Sequence, residues 1–144
     1  MKYLILLIYM ISGVLLSKEW ELKYSGFSES KKIIFNSGLE IINFSNNGTW
    51  EDSLGNYGEG LCQGMVTVEK NNNNMEFYCE YSDQDNDKFF SKGTRKSDIN
   101  AGVGNLTLLD GTGKWTSLIS TKCTYAVKYK GKSFFVAQKC RNNK

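Results

Sequence analysis

Apolar and polar residues alternate along most of this chain, which is the period of a β-strand that buries one face. Near the start, Trp20, Leu22 and Tyr24 alternate with charged residues. Clusters of glycine, asparagine and serine separate about eight to ten short apolar segments, and none of these has the longer period of an amphipathic helix. The pattern predicts an all-β protein: a small antiparallel β-barrel of about eight strands, with a β-sandwich as the alternative.

Two early segments are more uniformly apolar. Ile33 to Phe35 and Leu39 to Phe44 lie on either side of a turn sequence, Asn36-Ser37-Gly38. Continuous apolar runs are typical of strands that are buried on both faces. We therefore expect both segments to be more deeply buried than the alternating strands.

The start of the chain breaks the alternating pattern. A lysine precedes an almost wholly apolar run from Tyr3 to Leu16, and Ser17 follows it. A positive charge, a short apolar run and a small residue are typical of a secretory signal peptide. The run is also shorter than the roughly 20 residues that span a bilayer. We expect a signal peptide over 1–17, with an uncleaved anchor as the alternative, and a single barrel domain over 18–144.

The four cysteines form two pairs with the same separation, Cys62 with Cys79 and Cys123 with Cys140. A turn-forming stretch lies between the members of each pair, so the spacing predicts two β-hairpins that are each closed by a disulfide. Disulfides persist in oxidising compartments. Together with the leader, they predict an exported protein, periplasmic or extracellular, that makes no stable membrane insertion once the leader is removed.

The hairpin of the second cysteine pair can be aligned from its turn. A two-residue turn at Gly131-Lys132 places facing residues of the two arms on one side of the hairpin. The resulting pairs are Tyr129–Phe134, Val127–Val136, Tyr125–Gln138 and Cys123–Cys140. Counting from the turn makes the cysteines a non-hydrogen-bonded pair with Cα atoms about 4.5 Å apart, which a disulfide tolerates.

The first cysteine pair leaves its register open. A turn at Lys70-Asn71 sets Cys62 opposite Cys79, whereas a turn centred on the asparagine tract sets Cys79 opposite Val66 and breaks the bridge. The crossed connectivity, Cys62 with Cys140 and Cys79 with Cys123, is also open at this point, because sequence alone does not determine pairing.

The formal net charge is +3, and basic and acidic residues are interspersed along the chain. We therefore expect no nucleic-acid partner and no electrostatic attraction to an anionic membrane. The chain has no histidine, which removes the commonest general base and metal ligand. No serine, cysteine or lysine stands beside an activating base. We identify no catalytic residue, expect no cofactor and weigh the sequence against an enzyme, and we leave the oligomeric state open.

One acidic motif is a candidate for calcium binding. Asp83, Asp85 and Asp87 alternate as at the start of an EF-hand loop, but Lys88 and Thr94 occupy the positions of the required glycine and glutamate. An EF-hand is therefore excluded. We interpret the motif as a solvated acidic turn between two strands, with weak calcium binding as the lesser alternative and no other metal site.

The high aromatic content indicates what fills the barrel. Several aromatic residues fall at inward positions, which a filled core explains most simply. A cavity lined by aromatic side chains is the sharper alternative, with a small apolar or ring-bearing molecule as the partner. The candidate cavity residues are Phe77, Tyr81, Tyr125, Tyr129 and Gln138.

A segment before the last hairpin resembles a known family. The residues from Gly104 to Trp115, GNLTLLDGTGKW, are similar to a turn in the allene oxide cyclase and dirigent type of eight-stranded, calycin-like barrel. In this chain Asp110 stands where that family has its first glycine. The resemblance implies a closed antiparallel barrel with room for a central cavity, Gly111 and Gly113 at a barrel corner, and Trp115 plugging that end. It carries over no catalytic residue.

These patterns support three functional hypotheses. The first is an exported, non-enzymatic barrel that binds a small apolar or aromatic molecule in its interior. The alternative is a structural or protein-interaction role in the cell envelope, which an exposed apolar patch or strand edge would favour. A barrel enzyme of the cyclase or isomerase type is the least favoured, because it needs ionisable groups that converge in a pocket.

Overall fold

Eight antiparallel strands close into a barrel in the computed structural model of the chain. Each strand pairs with its neighbour in sequence, and the last strand pairs with the first. The strands are β1 (Lys18–Ile34), β2 (Glu40–Asp52), β3 (Tyr57–Glu69), β4 (Asn72–Asp83), β5 (Lys88–Arg95), β6 (Ala101–Gly111), β7 (Lys122–Lys130) and β8 (Ser133–Asn142). The predicted all-β barrel is therefore confirmed, and the sandwich alternative is wrong.

The structure describes residues 18–70, 72–96 and 101–142. The predicted signal peptide, 1–17, lies outside the described residues. The eight strands of the described part share one barrel and one interior.

The alternation in the sequence divides each strand into an inner and an outer face. Along β4, Met75, Phe77, Cys79 and Tyr81 are buried, and the residues between them are exposed. The same alternation recurs along β7. Successive side chains of a strand point to opposite faces, so one face of each strand fills the interior and the other meets solvent.

Aromatic rings fill the interior and contact one another. Tyr81 stacks on Phe89 with ring centroids 4.6 Å apart, and Tyr24 packs against Phe134 at 4.7 Å. Burial of one such side chain contributes about 1.5–3 kcal/mol, so these rings supply much of the stability of the barrel. The other buried aromatic residues are Trp20, Trp50, Phe77, Trp115 and Tyr125.

Both predicted disulfides are present. Cys62–Cys79 joins β3 to β4, and Cys123–Cys140 joins β7 to β8, each with Cα atoms 4.0 Å apart. All four predicted pairs of the β7–β8 hairpin are found. In the β3–β4 hairpin Glu69 pairs with Asn72, which is the register that aligns the two cysteines. The crossed connectivity is thereby excluded, and all four cysteines face the interior.

The predicted burial of Ile33 to Phe35 is wrong. β1 pairs with β8 only as far as Phe27, whereas its pairing with β2 continues to Ile34. The end of β1 therefore extends past the barrel, where no interior remains for it to face, and Ile33 and Ile34 are 54% and 64% exposed. The segment from Leu39 to Phe44 belongs to the same extension and is at most half-buried.

The two disulfides are expected to contribute equally to stability, because each closes a loop with a sequence separation of 17. Replacing either cysteine pair with alanine should lower the free energy of unfolding by about 3 kcal/mol in the loop-entropy account. Alanine avoids burying a new hydroxyl group in the core. Urea unfolding of Cys62→Ala/Cys79→Ala and Cys123→Ala/Cys140→Ala measures the two losses, and a loss below about 1 kcal/mol for either pair would contradict this account.

Candidate functional site at the open end of the barrel

The two ends of the barrel differ. At one end, the closed end, a 3-10 helix (Gly113–Leu118) follows β6, and its Trp115 covers the interior. The Trp115 ring contacts the rings of Trp20, Trp50 and Phe89, with centroids 4.5–6.0 Å apart. The opposite end, the open end, carries the β1–β2, β3–β4 and β7–β8 turns.

Two glycines let this helix approach the barrel wall. Gly113 has a φ of 49°, a left-handed conformation that side chains disfavour, and a Cβ atom there would lie 2.0 Å from Asp87 Oδ2. A Cβ atom at Gly111 would lie 2.8 Å from the Cβ of Trp115. The residues that the family resemblance assigns to a barrel corner therefore lie together at the closed end.

Asp83 fastens the helix to the β4–β5 turn. Its Oδ1 accepts hydrogen bonds from the backbone N–H groups of Asp85 and Asp87. Its Oδ2 accepts a hydrogen bond from Trp115 Nε1 at 2.9 Å and pairs with Lys114 Nζ at 2.9 Å. Burial opposes ionisation of this carboxyl group, but the hydrogen bonds from Lys114, Trp115 and the turn backbone outweigh it. They hold the pKa of Asp83 below its ordinary value.

These contacts also account for the acidic motif. Asp85 is exposed and pairs with Lys114, and Asp87 accepts a hydrogen bond from Thr112. Asp83 is buried rather than solvated, because it bonds to the helix that closes the barrel. Across the described ranges, no three acidic, cysteine or histidine side chains are grouped so that they could hold a metal ion.

A small cavity, the inner cavity, lies inside the barrel. Its volume is about 30 Å³, which is room for about one or two water molecules. Four predicted cavity residues line it, Phe77, Tyr81, Tyr125 and Tyr129. The fifth, Gln138, is buried and donates a hydrogen bond to the Tyr81 hydroxyl at 3.3 Å. The structure brings these residues together around a space far smaller than the roughly 300 Å³ of a small ligand site.

Two buried polar atoms, on residues that line the inner cavity, have no hydrogen-bond partner among the described residues. They are Asn46 Oδ1 and the Tyr125 hydroxyl, on residues only 6% and 3% exposed. The amide nitrogen of Asn46 donates to the Tyr129 hydroxyl at 3.2 Å, which orients its oxygen. An unpaired buried polar atom costs about 1–3 kcal/mol. Both atoms therefore favour a water molecule or a polar ligand group in the cavity.

Three tyrosines around this cavity, Tyr24, Tyr81 and Tyr125, stay protonated at neutral pH. Burial raises the pKa of Tyr125 to about 12, although the nearby charge of Arg95 opposes the shift. Burial also raises the pKa of Tyr24 and of Tyr81. Each hydroxyl is therefore a neutral hydrogen-bonding group at pH 7, suited to holding a ligand and poorly suited to taking up or releasing a proton.

A larger depression, the mouth groove, lies at the open end. Its volume is about 990 Å³, at the upper end of the roughly 300–1,000 Å³ typical of small-molecule sites. Residues 28–31 of β1 and 42–45 of β2 form one wall. Phe44 and Tyr129 line both the groove and the inner cavity, so these two side chains lie between them. The other apolar residues that line the groove are Ile42, Val66 and Met75.

Tyr24, Phe44 and Asn46 were not predicted as site residues. The sequence did contain a signal for two of them. Phe44 and Asn46 are two positions apart, so both side chains point to the inner face of β2. A polar residue on that face marks an interior that is not wholly apolar. Ile42 and Val66 carry no such signal, because an apolar residue at the rim of a barrel has the same sequence pattern as one in the core.

Comparison with known proteins identifies no family for the chain. No protein-family model matches it, and no curated protein matches it. The likeness to the allene oxide cyclase and dirigent barrels therefore rests on the turn motif and on the closed eight-stranded barrel. Separately, no helix within the described ranges is long and apolar enough to cross a membrane.

Replacing Asp83 with asparagine is expected to destabilise the closed end, because it removes the carboxylate that receives these hydrogen bonds. We expect a loss of about 1–3 kcal/mol in the free energy of unfolding at pH 7. The pKa of Asp83 is lower in the folded chain, so its contribution is present above the unfolded pKa of roughly 4 and is lost as the pH falls through the folded value. The difference between the wild type and Asp83→Asn should therefore shrink toward pH 2. Urea unfolding across this pH range measures it.

Asp85→Asn is the matched control, because Asp85 lies in the same turn with an exposed carboxylate. Its replacement should cost less than about 0.5 kcal/mol, as for most surface ion pairs. Equal losses at pH 7 for Asp83→Asn and Asp85→Asn would show that Asp83 does not hold the helix in place.

Proposed function

We propose that this protein is an exported, non-enzymatic barrel that binds a small apolar or ring-bearing molecule at its open end. The apolar body of the ligand lies in the mouth groove, and one polar group reaches toward the inner cavity. The protein acts in the periplasm or the extracellular space.

The unpaired polar atoms behind a groove that is apolar in part are the observation that carries this proposal. Both atoms are without a partner among the described residues; Asn46 Oδ1 is able to accept a hydrogen bond, and the Tyr125 hydroxyl is able to donate or accept one. A ligand with a single hydroxyl, amine or amide group would satisfy one or both atoms and recover the cost of leaving them unpaired. A wholly polar ligand would find no partner in the apolar part of the groove.

The mouth groove supports binding through its apolar lining. Burial of about 200 Å² of apolar ligand surface gains roughly 5 kcal/mol from hydrophobic transfer. Hydrogen bonds in the cavity add to this gain, and the loss of ligand freedom opposes it. With the hydrogen bonds offsetting the loss of ligand freedom, the remaining gain of roughly 5 kcal/mol corresponds to a dissociation constant on the order of 0.2 mM.

Phe44 and Tyr129 control how deeply a ligand enters. The Phe44 ring packs on Phe77 with centroids 6.1 Å apart, and the Tyr129 hydroxyl accepts a hydrogen bond from Asn46. Both side chains are half-buried, so they move with less disruption than the core rings below them. A small polar group passes between them more easily than a ring does. This favours a ligand whose broad apolar part stays in the mouth groove and whose narrow polar end points to the inner cavity.

Two further features support export and a binding role. The buried disulfides are typical of proteins that mature in an oxidising compartment. The raised pKa values of Tyr24, Tyr81 and Tyr125 keep these hydroxyls neutral, which favours hydrogen bonding over proton transfer.

Titration with 1-naphthylamine, a two-ring amine that is uncharged at neutral pH and whose fluorescence changes in apolar surroundings, tests the proposal. We expect one saturable site on the exported protein. Ile42→Ser should weaken binding about five- to tenfold, because it removes an apolar side chain from the groove. Tyr125→Phe should weaken it about threefold or more, because the ligand amine loses a hydrogen-bond partner.

Phe135→Ala serves as the control, since Phe135 is an exposed aromatic residue that does not line the groove. Its binding curve should match that of the wild type, with all variants checked for unchanged thermal midpoints. The proposal fails if the probe does not saturate, or if Phe135→Ala weakens binding as much as Ile42→Ser does.

A further inference from the structure

The end of β1 projects from the barrel beside the mouth groove. Pairing between β1 and β8 ends at Phe27, and pairing between β1 and β2 continues to Ile34. At about 3.3 Å per residue, this extension reaches roughly 20 Å past the start of β8. The β1–β2 turn therefore stands well beyond the β7–β8 turn at the same end.

The tip of this extension is apolar on both faces. Ile33 and Ile34 are consecutive strand residues that point to opposite sides, yet they are 54% and 64% exposed, and Phe35 is 47% exposed. We call these three residues the hairpin tip. Contiguous exposed apolar residues mark interaction sites. A groove in a protein partner would cover one face of the tip, whereas the interface of a lipid bilayer surrounds both.

Charge is divided along the barrel axis. The strands run alternately in opposite directions, so basic residues that are interspersed in the sequence collect at one end. When each strand is divided at its middle, the open half of the described chain carries nine basic and four acidic residues. The closed half carries seven basic and ten acidic residues. The net charges are therefore +5 and −3.

Most lysines of the open half are exposed and are not paired with a carboxylate. Ion pairs join Lys32 to Glu40 and Lys92 to Glu76, each at 2.9 Å. The remaining lysines of this half are exposed and form no ion pair with any acidic residue in the described ranges. They are Lys31, Lys70, Lys96, Lys128, Lys130 and Lys132.

We propose that the open end docks reversibly on an anionic lipid surface. The hairpin tip enters the headgroup region by about 5–10 Å, and the six lysines face the anionic headgroups. Interfacial membrane binding combines these two contributions, an apolar insertion and attraction between opposite charges. In this orientation the mouth groove faces the bilayer, and the acidic closed half faces away from it.

Co-sedimentation of the exported protein with vesicles tests this docking. Mass spectrometry of its N-terminus first shows whether residues 1–17 are absent, so that an apolar leader does not supply the binding. We expect binding to phosphatidylcholine vesicles that contain about 30 mol% phosphatidylglycerol, little binding to phosphatidylcholine alone, and weaker binding as salt rises from about 50 to 500 mM. Lys128→Gln/Lys130→Gln should lower the partition coefficient about 25-fold, because each lysine contributes roughly fivefold.

The hairpin tip is tested separately. Ile34→Ser/Phe35→Ser should lower the partition coefficient at least about tenfold while leaving the charge unchanged. Matched controls lie at the closed half: Lys23→Gln/Lys139→Gln makes the same charge change, and Leu54→Ser changes an exposed apolar turn residue. Each control should change the partition coefficient less than about twofold.

Several outcomes would overturn the proposal. One is no binding to anionic vesicles, and another is a loss of partition coefficient in the closed-half controls equal to that of the open-half variants. A third is an unchanged partition coefficient for Ile34→Ser/Phe35→Ser, which would mean adsorption by charge alone. Self-association that this tip variant abolishes, without vesicle binding, would identify a second copy of the chain as the occupant instead. None of these variants alters a residue that lines the mouth groove, so vesicle binding and probe binding succeed or fail independently.

Discussion

Pairing between β1 and β8 closes the barrel, and the other features of the structure depend on it. Residues from Lys18 to Phe27 pair with β8 in a continuous register. This pairing joins the two ends of the sheet, divides the side chains into an inner and an outer set, and fixes the interior volume. The interior of an eight-stranded barrel is about wide enough for its own side chains. Aromatic rings fill it here, which explains why the inner cavity is so small.

The same pairing also explains why the two ends differ. β1 is longer than β8, so part of it has no partner on that side and rises above the opening. The closed end has no such excess, and the helix that carries Trp115 folds over it instead. The depth of the groove at the open end thus follows from the difference in strand length. The covering of the closed end follows from the helix in the connection between β6 and β7. The polar atoms at the base of the groove then add chemical selectivity to its shape.

Local periodicity in the sequence predicted the parts of the fold that depend on nearby residues. The β7–β8 register followed from a two-residue turn, because a period of two leaves one alignment that sets Cys123 opposite Cys140 on the apolar face. The β3–β4 register was left with two alternatives, because the asparagine tract offered more than one place to turn.

Features that depend on distant residues were not predictable. The exposure of Ile33 and Ile34 depends on where β8, about a hundred residues away, stops pairing with β1. The contact between Asp83 and Trp115 joins the end of β4 to the 3-10 helix, two segments that share no local pattern. The separation of charge along the axis arises only when alternate turns are brought to the same end. The interspersed lysines in the sequence therefore indicated an even distribution of charge over the surface, whereas the folded barrel separates the charges.

The inward position of both disulfides has a consequence for the order in which the protein matures. Their sulfur atoms lie on cysteines that are 2–3% exposed inside a closed wall, where an oxidising enzyme or a thiol has no access to them. Oxidation must therefore precede the joining of β1 to β8, in two hairpins whose cysteines meet by short-range loop closure. Once the wall has closed, the bridges persist in reducing surroundings until the barrel opens. The closed barrel therefore preserves the oxidation state that its cysteines had when β1 joined β8.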